Sequence, residues 1–171
     1  MKFFINAQSW QMFLVLMASM FGAQLLMPVF NNPAIGILIG TLILMALYMG
    51  WLISIAVTAN RKLGEPLKKS TKWVLVGLSY GAAYLTGSLL VLPGYMEAGR
   101  GVPGFVLPLH LLAMAAVFYA LLFAAKSLVM VERNQTAKFF EYSGSFFLLW
   151  FFPIGVWFIK PRVNKLLGGG N

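Results

Sequence analysis

Five long apolar runs dominate the sequence, and four of them contain no Lys, Arg, Asp or Glu. They cover residues 10–30, 34–57, 73–92, 105–125 and 139–159. A helix needs about 20 predominantly apolar residues to cross the hydrocarbon core of a bilayer, and each run is long enough to do so. The sequence therefore predicts an all-α fold, a polytopic helical membrane protein with about five transmembrane helices.

The composition agrees with a membrane location and excludes a soluble globular domain. Hydrophobic residues make up 60% of the chain and charged residues only 10%, whereas an ordinary soluble domain is roughly 25% charged. The chain has no internal repeat and no polar stretch long enough for a separate soluble domain. We therefore expect one transmembrane domain at residues 1–165, followed by a flexible tail at 166–171.

The first apolar run also resembles a secretory signal peptide, because Lys2 precedes it. The only suitable cleavage point lies after Ala23, and Phe21 stands where a small residue is required. An uncleaved anchor is therefore predicted. The Asn-Asn-Pro sequence at residues 31–33 then breaks the helix, which predicts a tight hairpin between the first two spans.

Basic residues predict the orientation of the chain in the membrane. The connector between the second and third spans holds Arg61, Lys62, Lys68, Lys69 and Lys72. Because Lys and Arg accumulate in cytoplasmic loops, this connector and the N-terminus are expected to be cytoplasmic. Nine of the thirteen basic residues agree with this orientation. Five crossings, however, place Lys160, Arg162 and Lys165 outside, against the rule.

An alternative for the last run is a helix that lies in the inner interface, where its many aromatic rings are favoured. Such a helix needs a polar face, whereas residues 148–159 are apolar all round. Five crossings therefore remain the prediction, with a kink at Pro153. Glu141, at the start of the run, is expected at the headgroup level beside Lys138.

Residue types that support catalysis are scarce in this chain. The absence of Cys and Asp and the presence of one His exclude disulfides, a thiol nucleophile, a Ser-His-Asp triad and a multi-histidine metal site. We assign no catalytic, cofactor-binding or metal-binding residue, and we expect no cofactor.

Several polar residues reach a similar depth in the outer half of the predicted bundle. The candidate polar cluster consists of Gln24, Thr41, Ser88 and His110 in the spans, with Glu97 and Arg100 in the adjacent loop. A titratable side chain inside a membrane marks a candidate site by default. The alternative is that His110 hydrogen-bonds a neighbouring helix or faces the headgroups.

Small residues recur on single faces of two spans. They are Gly36, Gly40, Gly50 and Ser54 in the second span, and Gly77, Gly81 and Gly87 in the third. Small side chains let helix backbones approach closely in lipid. These faces are expected to pack helices together, either within this chain or against a partner subunit.

The basic connector favours membrane lipids over nucleic acid as a partner. Its lysines are spread over a dozen residues between two membrane helices, and each is worth about 1 kcal/mol of attraction to anionic headgroups. Trp10, Trp51, Trp73 and Trp157 fall toward span ends, as interfacial anchors do. No nucleic-acid partner is expected.

The segment EYSGSFFLLWFFPIGVWFIKPRVNK at residues 141–165 resembles the C-terminal signature of uncharacterised small multipass membrane proteins of Bacteroidota-type bacteria. It covers about one seventh of the chain. The resemblance implies a bacterial inner membrane and supplies no catalytic residue.

Three functions follow as hypotheses. The first is a non-enzymatic membrane subunit or scaffold of a larger inner-membrane assembly, with other membrane subunits or further copies of the chain as partners. The second is an oligomeric transporter or channel for ions or small solutes, lined by the polar cluster. The third is a lipid-modifying membrane enzyme, with His110 as general base beside Glu97 and Arg100.

Overall fold

The computed structural model describes residues 2–26 and 33–168, and every regular element within these residues is helical. The predicted all-α fold is confirmed. Residues 27–32, which include the end of the first predicted span and its connection to the second, lie outside the described residues, as do residues 169–171 of the predicted tail. The α-helices are α1 (Lys2–Asn6), α2 (Ser9–Leu26), α3 (Pro33–Lys62), α4 (Lys72–Glu97), α5 (Val106–Arg133), α6 (Phe139–Trp150) and α7 (Phe152–Leu167), with a 3₁₀ turn at Glu65–Leu67.

Three helices, α3, α4 and α5, are long and apolar enough to cross a membrane. The predicted count of about five spans is not confirmed. Helix α2 is apolar but shorter, because its 18 residues extend only about 27 Å. The long helices continue past their apolar runs. Helix α5 passes Lys126 and ends at Arg133, and α4 passes Pro93 and ends near Gly99, whose φ of 67° suits a helix C-terminus.

The run at 139–159 forms two helices, so the predicted kink at Pro153 is a full break, and a fifth crossing by this run is not confirmed. Helices α6 and α7 meet at Phe151, whose φ of −86° and ψ of 59° leave the helical region. Pro153 causes the break, because it lacks the N–H that would bind the carbonyl of Leu149 four residues earlier. At Gly155, a Cβ atom would overlap the carbonyl of Leu148, so the missing side chain lets the two helices fold closely together.

Helix α6 runs antiparallel to α5. At the tip of the α6–α7 hairpin, the rings of Trp150 and Phe118 lie 4.9 Å apart in an edge-to-face arrangement. At the other end of α6, Glu141 forms an ion pair with Arg133 at the end of α5. The hairpin therefore starts at the end of the bundle where α5 finishes.

Helix α7 then returns to the same end, parallel to α3. Phe152 lies 5.3 Å from Tyr48 between ring centroids, and 14 residues further along both helices Lys62 Nζ donates to the carbonyl of Leu166 at 2.7 Å. The tip thus stands about 21 Å from the end of α3, a helix about 45 Å long. The last two helices form a hairpin that enters and leaves the bundle at the same end and reaches about halfway along it. We call it the re-entrant hairpin for this shape alone.

Burial follows the reach of the hairpin. On α3, every residue from 51 to 60 is buried except Ile53 and Thr58, whereas none from 41 to 50 is buried. On α5, residues 120–130 are buried except Leu122 and Lys126. The core therefore fills only the half of the bundle that the hairpin occupies.

The end of α7 corrects the predicted flexible tail. Leu166 and Leu167 belong to the helix, although the sequence predicted a flexible segment from residue 166. Leu167 is buried in the core, and the carbonyl of Leu166 is held by Lys62. Packing and this hydrogen bond extend the ordered structure to the last turn of α7.

Helix α1 lies at the same end of the bundle, held by Lys160 of α7. The Lys160 ammonium is fully buried and donates to the carbonyls of Phe4 and Ile5 and to Asn164 Oδ1, each at 2.8 Å. Asn164 Nδ2 donates to the carbonyl of Ala7 at 3.2 Å. We call this end of the bundle the basic end. It holds α1, residues 63–71, residues 134–138 and the end of α7.

Candidate functional site

A cleft of about 410 Å³ opens beyond the tip of the re-entrant hairpin, in the half of the bundle that the hairpin does not fill. Helices α3, α4 and α5 form its walls, and the tip forms its floor. Its lining residues are Tyr48, Met49, Gly81, Tyr84, Leu85, His110, Ala113, Met114, Val117, Phe118, Leu121, Trp150 and Phe152.

Tyr48 fixes the floor of the cleft. Its hydroxyl donates to the carbonyl of Leu149 at 2.8 Å, which is the carbonyl left without a helical partner by Pro153. The ring of Tyr48 also packs against Phe152, and Phe118 packs against Trp150. Because these contacts join the tip to α3 and α5, the floor is a fixed surface.

The cleft is suited to an apolar occupant. Its volume falls within the range of about 300–1,000 Å³ that ligand pockets commonly have, and no Lys, Arg or Glu lines it. The Tyr48 hydroxyl is already bonded to the tip, so the side-chain polar groups left on the walls belong to Tyr84 and His110. Their rings lie 5.7 Å apart in a tilted contact. The arrangement offers mainly dispersion contacts, and the imidazole of His110 is the one titratable group other than tyrosine among the residues that line the cleft.

A second cavity of about 220 Å³ continues between the outer parts of α4 and α5. Tyr84 borders both cavities, and Ser88 lines the second one. The Tyr80 hydroxyl donates to the carbonyl of Leu109 at 3.0 Å and joins the two helices nearby. In this part of the bundle, α4 and α5 therefore border two apolar cavities.

The members of the predicted polar cluster lie on four helices, α2 to α5, and in the loop after α4. Ser88 and His110 lie on facing helices, but the Ser88 hydroxyl donates to the carbonyl of Leu85 in its own helix at 2.9 Å. Thr41 is half-buried on α3. Gln24, Glu97, Arg100 and His110 are exposed. Among the described residues, no hydrogen bond or ion pair joins two members of the cluster, which gives little support to a polar path or to a general base with orienting groups.

The predicted small-residue faces meet different neighbours. A Cβ at Gly77 would lie 3.2 Å from Cβ of Ala116 on α5, and one at Gly50 would lie 3.0 Å from the Phe4 ring of α1. A Cβ at Gly87 would meet open space. Ser54 donates to the carbonyl of Gly50 at 2.7 Å.

The other small residues also lie in different surroundings. Gly36 and Gly40 are buried on α3. A Cβ at Gly81 would lie 3.7 Å from Met49 and from Val117. Gly81 thus lies between α3 and α5, whereas Gly87 is left free on the outer part of α4.

Sequence reasoning named Gly81 and His110 but missed the other residues that line the cleft, because it treated residues 139–159 as one crossing. The available signal was Pro153 in the middle of the run with Gly155 two residues later, since a proline frees a carbonyl and a nearby glycine permits close helix packing. No family model, curated protein or solved structure matches this chain. The role of each residue is therefore inferred from the geometry of the chain itself.

Proposed function

We propose that the protein is a non-enzymatic integral subunit or scaffold of a larger membrane assembly, and that the cleft beyond the hairpin tip receives an apolar helix of a neighbouring subunit or of a second copy. The observation that carries the proposal is the unfilled half of the bundle. Helix α4 buries only Val74, Leu78 and Gly81, all within its first ten residues.

Exposed apolar side chains alone do not carry this proposal, because lipid tails solvate them well. Helices associate in lipid through close packing, which a concave surface permits better than a convex one. The cleft is concave and has a fixed aromatic floor, and small residues such as Gly81 and Ala113 in its walls allow a neighbouring backbone to come near.

Site-specific photocrosslinking in native membranes tests the proposal. A photoreactive residue at Met114, which lines the cleft and is 43% exposed, should give a discrete protein adduct. The matched control is Met20 on α2, which is 47% exposed and lines none of the cavities described here. Lipid adducts only at Met114, or recovery of a lone monomer in mild detergent, would contradict the proposal.

We further propose that the protein resides in a bacterial inner (cytoplasmic) membrane with α2 to α5 as four crossings, the α6–α7 hairpin re-entering from the cytoplasmic side, and the N-terminus in the cytoplasm. The support comes from charge. With both ends of the hairpin at the basic end, twelve of the thirteen Lys and Arg residues lie at this end or near it, and Arg100 is the exception. The tail then agrees with the rule that basic residues stay cytoplasmic.

A further inference from the structure

The basic end carries a large excess of positive charge that the chain does not neutralise. Twelve of the thirteen cations and three of the four glutamates lie at this end or near it, and Arg100 and Glu97 cancel elsewhere, so this part of the chain carries the whole net charge of +9. Each of these glutamates is already engaged: Glu65 pairs with Lys68, Glu132 with Arg162, and Glu141 with Arg133. The hydrogen bond and charge of Lys68 lower the pKa of Glu65.

Two of the remaining cations border one crevice. Lys69 of the connector and Lys126 of α5 both line a crevice of about 20 Å³, together with Asn60 and Ser127. Neither lysine has a carboxylate partner among the described residues. The crevice holds about one water molecule, so any larger anion would bind at its mouth.

The connector is held in place beside α5. Asn60 Nδ2 donates to the carbonyl of Lys69 at 2.7 Å, and Asn60 Oδ1 accepts the N–H of Lys69 at 3.0 Å. The Nζ of Lys126 lies 5.9 Å from the centroid of the Tyr142 ring. The fold therefore fixes the backbone of Lys69 at the crevice and places the Lys126 ammonium beside an aromatic ring.

We propose that the mouth of this crevice binds the phosphate of an anionic phospholipid, between Lys69 and Lys126. Lys126 lies seven residues before the end of α5, about 10 Å from that end, where a lipid phosphate with its chains along the helix is a better fit than a soluble anion. Leu67 and Phe123 supply apolar surface at the same crevice. The proposal goes beyond the subunit role and holds for either direction of insertion.

Native mass spectrometry of the protein in a neutral detergent tests the site. We would titrate the protein with phosphatidylglycerol, phosphatidylcholine and inorganic phosphate as separate probes. Phosphatidylglycerol should bind preferentially, and Lys69→Gln or Lys126→Gln should each weaken it about fivefold. Arg100→Gln, at the opposite end of the bundle, should leave binding unchanged, and Lys126→Arg should restore it.

Three results would overturn the proposal. Equal affinity for phosphatidylglycerol and phosphatidylcholine would show that headgroup charge is not recognised. Binding of inorganic phosphate as tight as that of the lipid would identify a general anion patch. An equal loss in Arg100→Gln would show that only net charge matters. Lys69→Gln serves as the second variant if Lys126→Gln fails to fold.

Discussion

The Lys160 ammonium is buried and has no carboxylate partner among the described residues. The fold can hold this charge because three oxygen atoms surround it at hydrogen-bonding distance. Its three N–H groups match three acceptors, two of which are carbonyls near the C-terminus of α1. The negative end of a helix dipole favours a cation at this position. A helix of five residues would not be stable alone, so Lys160 and Asn164 hold α1 in place.

Replacing Lys160 should release α1. In Lys160→Met, the carbonyls of Phe4 and Ile5 lose their donor, which costs about 2 kcal/mol for the docked state. The native chain has no Cys, so a single Ala7→Cys reports on this docking. The buried thiol should react with a maleimide roughly thirtyfold faster in the Lys160→Met background.

Lys165→Met is the matched control for this measurement. Lys165 lies on the same helix but is exposed and has no described hydrogen bond to α1. Its replacement should leave the labelling rate at that of the parent protein. Equal rates in Lys160→Met and the parent would show that Lys160 does not hold α1.

Neither the burial of Lys160 nor that of Trp51 could be predicted from local sequence. Lys160 reads as part of a basic tail, because its acceptors lie more than 150 positions earlier in the chain. Trp51 has the position of an interfacial anchor, yet it is fully buried and its indole N–H has no partner among the described residues. Both residues are buried in the half of the bundle that the hairpin fills.

The close packing of helices α6 and α7 depends on Gly155. In Gly155→Ala the new methyl group would overlap the backbone carbonyl of Leu148, which cannot move without opening the hairpin. We expect a loss of about 2 kcal/mol or more in the free energy of unfolding. Thermal unfolding in detergent measures it.

Gly144→Ala tests whether the effect is specific to the hairpin contact. Gly144 lies in α6, the other helix of the same hairpin, but a Cβ there would meet open space. Helix propensity alone should make this variant neutral or more stable by about 0.5–1 kcal/mol. If both variants unfold at the same temperature, the hairpin is not packed through Gly155.

The Tyr48 hydroxyl should stabilise the hairpin tip. Tyr48→Phe keeps the ring contact with Phe152 and removes only the donor to the carbonyl of Leu149. The free energy of unfolding should fall by about 1–2 kcal/mol, because that carbonyl then lacks a partner. Tyr119→Phe, on the exposed face of α5, should unfold like the parent, and an identical loss in both would rule out this role.

The lengths of the apolar runs predicted the helical class of the fold and the position of the long helices. They did not predict the direction of the last segment, because a predominantly apolar run of 21 residues is compatible with both a crossing and a hairpin. The charge of Lys160, Arg162 and Lys165 argued against five crossings. The break at Phe151 agrees with the proposed topology, in which these residues lie on the same side as the other cations. The residues on either side of the same break form the floor of the cleft. Hydropathy therefore could not predict the cleft either.

Single-cysteine labelling decides between these two topologies in intact cells and inverted vesicles. Ser70→Cys reports on the connector, Lys165→Cys on the end of α7, and Ala98→Cys on the loop after α4. All three positions are exposed. A re-entrant hairpin places residue 165 on the same side as residue 70, so a membrane-impermeant maleimide should label these two together and residue 98 only from the opposite side. Five crossings would instead pair residue 165 with residue 98. The comparison depends only on which positions react together, so it remains decisive whichever side of the membrane is cytoplasmic.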